Sequence, residues 1–125
     1  MTANDFPDAI PQSLPGTQLL QRIPGEYAAD GVTPVYAAFA AAPRAVPTGR
    51  VLVRFEEGIR FEDQAPSLAG AGFDIDQVLS YAPHAGWVQA ASGSMADALR
   101  GLERLAGMPG VRHVEPQLLY TRVLK

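Results

Sequence analysis

The sequence predicts an α+β domain in which a four-stranded antiparallel sheet carries two helices on one face. Three observations lead to this fold class. Residues 49 to 125 follow the order strand, helix, strand, strand, helix, strand, which few folds accommodate. The strand segments are rich in β-branched and aromatic residues. Residues 1 to 48 hold seven of the eleven prolines, so they predict an extended, partly disordered N-terminal arm and not a second core.

One short helix is predicted inside the arm. Thr33 can cap its N-terminus, Pro34 suits the first helical position, and Pro43 ends the segment. The apolar side of this helix, with Val35 and Phe39, would need another surface to cover it. We therefore expect the helix to lie on the main domain or to be loosely ordered.

The first strand and the first helix open the main domain at Gly49. Val51–Phe55 is β-branched and aromatic and is bounded by turn residues, which predicts a buried strand. Residues 62 to 71 predict a short helix, with Leu68 on its apolar face. Pro66 fits only in the first turn of that helix.

A hairpin supplies the two middle strands. Residues 73 to 81 alternate with period two, which places Tyr81 on the apolar face and Asp74 and Asp76 on the polar face. The chain turns at residues 83 to 86 and returns as a partner strand that contains Trp87. Right-handed crossovers would put both helices on one face of the sheet, so the other face is expected to be open.

The second helix has the clearest boundaries in the chain. Ser94 and Asp97 form a capping pair at its start, and Gly107 followed by Pro109 ends it. Its apolar stripe consists of Met95, Leu99, Leu102 and Leu105 or Ala106.

The last strand is predicted at residues 111 to 115. Pro116 lacks a donor for the ladder, so it is expected to end the strand or to place it at a sheet edge. Residues 117 to 125 then form an open, extended tail. Such a tail can be added as a strand to another protein.

Composition argues against several classes of function. The net charge of −3 comes from scattered charges, so no basic stripe indicates nucleic-acid binding. Cysteine is absent, which removes thiolate nucleophiles and thiolate-bound metals. His84 and His113 lack the local spacing of a metal site, and Ser94 is not part of a Gly-x-Ser-x-Gly motif. We expect no catalytic residue, no metal and no cofactor, and hence no enzyme.

No segment predicts contact with a membrane. The longest apolar stretch, residues 35 to 42, is too short to span a bilayer. The first residues carry Asp5 and Asp8 and no lysine or arginine, so no export signal is visible.

The order and spacing of these elements resemble the prosegments of subtilisin-like serine proteases and the stand-alone inhibitors related to them. The resemblance covers residues 49 to 123. It rests on Val51-Leu-Val-Arg-Phe55, on the helix from Ser94 to Leu105, and on Val111-Arg-His-Val-Glu115 with its tail. It implies a ferredoxin-like βαββαβ fold and a role as protease inhibitor, intramolecular chaperone or both. It further implies a secreted or periplasmic protein that is monomeric when free.

The resemblance also implies how the protease is bound. The open sheet face would pack on two surface helices of the protease, and the tail would enter its substrate cleft as a strand. The residues placed in the cleft are Tyr120, Thr121, Arg122 and Val123, with Val123 in the primary pocket. A shift of two residues would place Lys125 there instead, which is the poorer fit.

A carboxylate near the central hairpin often caps helices of the protease in this family. The hairpin here, residues 82 to 86, has no carboxylate. Asp74 and Asp76 on the preceding strand are the candidate substitutes. Two carboxylates on a solvated strand face are, however, usually there for solubility alone.

A second class of function is a ferredoxin-like module that binds a small ligand or regulates another protein. An RNA-binding version is disfavoured, since the first strand offers only Arg54 and Phe55 and lacks the aromatic-rich pattern of such modules. Deleting the tail would distinguish the two classes, because only protease binding needs it.

Overall fold

The computed structural model describes residues 5 to 16 and 18 to 121, with the side chain of Thr121 excepted. Within these ranges the chain forms seven strands and three short helices. The strands are β1 (Ala9–Pro11), β2 (Leu19–Tyr27), β3 (Pro34–Ala37), β4 (Arg44–Phe55), β5 (Phe73–Val78), β6 (Ala85–Ala90) and β7 (Val111–Thr121). The helices are α1 (Ala65–Gly70), which follows a 3-10 turn at Phe61–Gln64, α2 (Met95–Arg100) and α3 (Leu102–Ala106).

All seven strands belong to one antiparallel sheet that curls into a half-barrel. Strand β4 is its centre. One edge of β4 pairs with β3 at Ala45 and with β6 over residues 51 to 54, while the other edge pairs with β7 along its length. A bridge between Leu14 and Val114 joins the segment after β1 to the far edge of β7. This bridge brings the two ends of the curl together.

The predicted ferredoxin-like fold class, with four strands and a separate arm, is therefore wrong. The region expected to be an arm contributes β1, β2 and β3 to the sheet. Its short apolar segments are buried in the same core as the rest of the chain, with Ile10, Leu20 and Tyr36 almost fully enclosed. Strand β4 also continues through residues 48 and 49, where the domain boundary was predicted.

The prolines that suggested disorder occupy positions where a sheet tolerates them. Pro11 ends β1 and Pro34 begins β3. Pro24 lies within the irregular register of β2 between Arg22 and Tyr27, and Pro47 adjoins the register shift in β4. Proline cannot donate to a ladder, so it is confined to strand ends, edges and bulges. The proline density of this segment thus marks an irregular half-barrel.

The helix predicted after Thr33 is also wrong, because residues 34 to 37 form the buried strand β3. Asp30 forms a turn directly before β3, where Thr33 was expected to cap a helix. Its Oδ1 accepts hydrogen bonds from the amides of Val32 and Thr33, both at 2.8 Å, and its Oδ2 accepts one from Thr33 Oγ1 at 2.6 Å. These bonds lower the pKa of Asp30. A short apolar run buried on both sides has no periodicity that separates strand from helix.

The capping pair predicted for the second helix is confirmed. Ser94 is the N-cap of α2, and its side chain accepts a hydrogen bond from the amide of Asp97 at 3.1 Å. The single predicted helix is divided at Gly101 into α2 and α3. A Cβ at Gly101 would lie 2.8 Å from the ring of Phe73, so only glycine allows this close approach to β5.

The prediction that the last strand ends at Pro116 is wrong, whereas the alternative, a strand at a sheet edge, is confirmed, because among the described strands β7 pairs with β4 alone. Strand β7 continues to Thr121, and Pro116 pairs with Val51 at the edge of a register shift, where its missing donor is tolerated. Residues 118 to 121 pair with residues 44 to 47 of β4. The first part of the predicted free tail is therefore the end of a strand.

Alkaline pH is expected to destabilise the fold through Tyr36. Burial raises the pKa of Tyr36 to about 12, from an ordinary value of 10.0. The folded state therefore favours the protonated phenol. The stability that this preference gives is complete below pH 10 and is lost as the pH rises towards 12, by an amount on the order of 2 kcal/mol. Urea titrations at pH 9 and at about pH 11.5 should show this loss, and Tyr36→Phe should show less of it.

Candidate protein-binding face

The sheet has one face without helices, formed by β4, β5, β6 and β7. Side chains alternate along each strand, so Val51 and Val53 are buried beneath the helices while Leu52 and Arg54 point the other way. We call this second surface the open face. Its members are Arg50, Leu52, Arg54, Asp74, Asp76, Gln77, Trp87, Gln89, His113 and Glu115.

A stacked pair lies at the centre of the open face. The guanidinium carbon of Arg50 lies 4.6 Å from the ring centroid of Trp87. Arg50 Nε donates to Asp76 Oδ2 at 2.9 Å, and Arg50 Nη2 donates to Gln77 Oε1 at 3.1 Å. Leu52 is the cross-strand partner of Trp87. Cation–π stacking and the ion pair thus join Trp87, Arg50 and Asp76 in one contact network.

The part of the open face formed by β7 and the end of β4 is polar. Arg54 is the cross-strand partner of His113, and Glu115 is that of Leu52. His113 Nε2 lies 3.0 Å from Glu115 Oε1. His84 lies in the turn before β6, where its backbone carbonyl accepts a hydrogen bond from the amide of Phe55.

A bulge in β5 determines which residues reach the open face. The register with β6 shifts between Ile75 and Gln77, so Asp76 is an extra residue in the strand. The strict alternation predicted through residue 81 is wrong for this reason. Val78 packs against the core, and Tyr81, predicted on the apolar face, is 83% exposed in the turn after β5.

The two predicted capping carboxylates have different surroundings. Asp76 is held in the ion pair with Arg50, so its charge is already balanced. The side chain of Asp74 is exposed and has no hydrogen bond or ion pair within the described part of the chain. Only Asp74 is therefore free to meet a positive group on a partner. Its position opposite Gln89 in the ladder keeps it on the open face.

The predicted cleft residues begin inside the sheet. Tyr120 pairs with Ala45, and its hydroxyl accepts a hydrogen bond from Gln12 Nε2 at 2.9 Å. Thr121 pairs with Arg44. The other two cleft residues, Arg122 and Val123, and also Lys125, lie outside the described residues.

Ser94, the serine compared with a nucleophile motif, is the N-cap of α2. Over residues 5 to 16 and 18 to 121, no group of three His, Asp or Glu side chains is placed to hold a metal ion. No helix in the same ranges is long and apolar enough to cross a membrane.

Comparison with known proteins gives no relative. No family model, no curated protein and no solved structure matches this chain.

The sequence places Trp87 on a strand of the hairpin, but it does not indicate that Trp87 pairs with Arg50. The partners Arg50 and Asp76 are 26 positions apart, and they meet only because β4 and β5 both flank β6. An arginine directly before one predicted strand, with acids on another, is the only signal in the sequence.

Proposed function

We propose that this chain binds a subtilisin-like serine protease through the open face and acts as its inhibitor, its folding chaperone or both. One observation carries the proposal: the open face presents a fixed Trp87–Arg50 pair beside Leu52, surrounded by polar side chains. An apolar and aromatic centre within a polar rim is typical of protein–protein interfaces. The proposal includes a secreted or periplasmic protein that is monomeric when free.

Trp87 and Arg50 are the side-chain types that contribute most to binding. Tryptophan and arginine are enriched among the few residues that dominate interface energies. Here the stacking and the bond to Asp76 hold both side chains before any partner arrives. Pre-organisation of this kind reduces the entropy lost on association. The pair is therefore the expected centre of the interface.

Asp74 supplies a charge at the edge of the same face. An exposed carboxylate without a partner of its own can approach the N-terminus of a helix, where the helix dipole favours negative charge. We assign this contact to Asp74 alone. Asp76 would have to give up its ion pair with Arg50 to make it.

Entry of Tyr120 to Val123 into a substrate cleft has a structural requirement. Tyr120 and Thr121 are paired with Ala45 and Arg44, so they must leave β4 before they can pair with the protease. A strand end can open locally while the rest of the sheet stays folded.

Replacing Trp87 with alanine is expected to weaken inhibition. The residual activity of a subtilisin, measured against inhibitor concentration, should show an inhibition constant raised about 30-fold or more, which corresponds to a loss of at least 2 kcal/mol at a dominant interface residue. The inhibitor should leave trypsin-fold proteases active. Phe39→Ala is the control, since it removes an exposed aromatic ring from the turn between β3 and β4. Equal inhibition by the two variants, or no inhibition of several subtilisins by the parent, would refute the proposal.

One observation favours the second candidate, a small-ligand-binding or regulatory module. A hollow of about 430 Å³ lies between β2 and the end of β7, and Tyr27, Val35, Val46 and Leu119 provide most of its apolar lining. Ligand sites commonly have this size and character. Deleting residues 118 to 125 does not distinguish the two candidate functions, because the deletion removes Leu119 from the hollow and so impairs both. Trp87→Ala does distinguish them, because it would weaken protease binding and spare ligand binding.

A further inference from the structure

We infer that residues 117 to 121 are a latch, which the free protein holds in its own sheet and which must open before the chain can engage a protease cleft. The inference rests on the proposed function and concerns the regulation of that binding. It is carried by the way in which β7 is paired, and by the contrast between its two halves.

The two halves of β7 are separated by an irregularity. Residues 111 to 116 pair with residues 51 to 55 of β4, and residues 118 to 121 pair with residues 44 to 47. Between them the register shifts, and Pro47 and Pro116 flank the shift. Neither proline can donate a ladder hydrogen bond. The interrupted ladder lets one half of the strand separate without disturbing the other.

The two halves also differ in burial. Val114, in the first half, is fully buried in the core. In the latch, Leu119 is 57% exposed and Tyr120 is 51% exposed, and Leu118 is only partly buried. Segments with few buried apolar contacts open at a lower free energy than the core. The latch is thus the part of β7 that separates most readily.

Two side-chain hydrogen bonds hold the latch closed. Gln12 Nε2 donates to the Tyr120 hydroxyl at 2.9 Å, and Thr48 Oγ1 donates to Gln117 Oε1 at 2.7 Å. Gln12 belongs to the N-terminal segment that follows β1. The first 48 residues therefore have a role that the inhibitor analogy did not explain: they provide the strand and the bonds that retain the C-terminal segment.

Pairing within the chain and pairing with a protease exclude each other. A strand added to a substrate cleft uses its own backbone N–H and C=O groups for the new ladder. Residues 118 to 121 are already paired along one edge with residues 44 to 47, and a cleft that encloses the strand on both edges has no room for β4 beside it. Only the open fraction of the protein can insert, so the apparent affinity falls by that fraction.

A reversible crosslink tests the latch in the full chain. Val46 and Leu119 are cross-strand partners, and the sequence has no cysteine, so Val46→Cys with Leu119→Cys introduces the only two thiols. The oxidised protein should inhibit a subtilisin at least about 100-fold more weakly than the reduced protein, because the competent state is removed. A matched pair, Ala9→Cys with Gln21→Cys, joins β1 to β2 and should inhibit equally in both redox states.

Hydrogen exchange of the free protein provides a second measurement that needs no protease. In the reduced protein, ladder amides within residues 118 to 121 should exchange at least about tenfold faster than the amide of Val114, and oxidation should remove most of that difference. Equal exchange in the two halves of the reduced strand, or equal inhibition by the oxidised and reduced forms, would overturn the latch. If the parent inhibits no subtilisin, the proposed function fails, and the exchange rates alone decide whether this segment opens.

Discussion

Replacing Tyr36 with alanine is expected to destabilise the whole domain by about 3–5 kcal/mol, as for other large aromatic side chains removed from a core. Tyr36 has no exposed surface, and its hydroxyl donates to the Pro7 carbonyl at 2.7 Å. It lies on β3, between Arg22 of β2 and Ala45 of β4. The variant would leave a cavity at the point where the N-terminal strands join the rest of the sheet.

Urea unfolding with two probes distinguishes a cooperative effect from a local one. The single tryptophan, Trp87, lies on β6, which is separated from β3 by β4. Its fluorescence and the far-UV circular dichroism should both shift to lower urea by the same amount, since the core is continuous. Phe39→Ala, at an exposed site, should change the free energy of unfolding by less than about 0.5 kcal/mol. An unchanged tryptophan transition in Tyr36→Ala would show that residues 1 to 48 are an independent appendage after all.

Replacing Leu102 with alanine is expected to lower the free energy of unfolding by about 2–5 kcal/mol, the range for buried leucine. Leu102 is 1% exposed and begins α3, which packs on β7. A domain of ordinary size is stable by only about 5–15 kcal/mol in total, so this loss is a large fraction of the stability. The variant should therefore melt at a clearly lower temperature than the parent.

The same substitution at the surface is the control. Leu19 lies on β2 with half of its side chain exposed, so Leu19→Ala should cost far less than Leu102→Ala. Thermal denaturation followed by circular dichroism measures both. If the two variants melt at the same temperature, α3 does not contribute to the core as described.

Local signals in the sequence were sufficient for several elements. Val51–Phe55 is a strand because its β-branched and aromatic side chains suit a pleated, buried surface. Ser94 begins a helix because its hydroxyl meets an amide only three positions away. Both elements depend on residues that are within a few positions of each other, so the sequence alone is sufficient to predict them.

Contacts between residues distant in sequence determine that the first 48 residues form strands of the sheet and not an arm. Tyr36 is buried by partners on β2 and β4, and Leu14 is bridged to Val114, a hundred positions later. Proline density is compatible with disorder and with an irregular sheet alike. The core decided between them, because pairing with neighbouring strands buries these apolar residues and satisfies their backbone groups at the same time.

The candidate site also has some features that follow from the sequence and others that depend on the tertiary structure. Alternation in the sequence placed Asp74 on a solvated face, and the end of the chain had the character of a strand. The bulge at Asp76, its ion pair with Arg50 and the pairing of Tyr120 with Ala45 were decided by strand register alone. Register is fixed by the burial of one whole face of the sheet at once, and a shift of one residue reverses every side chain. Local patterns therefore determined which segments form strands, and only the tertiary structure determined which side chains meet.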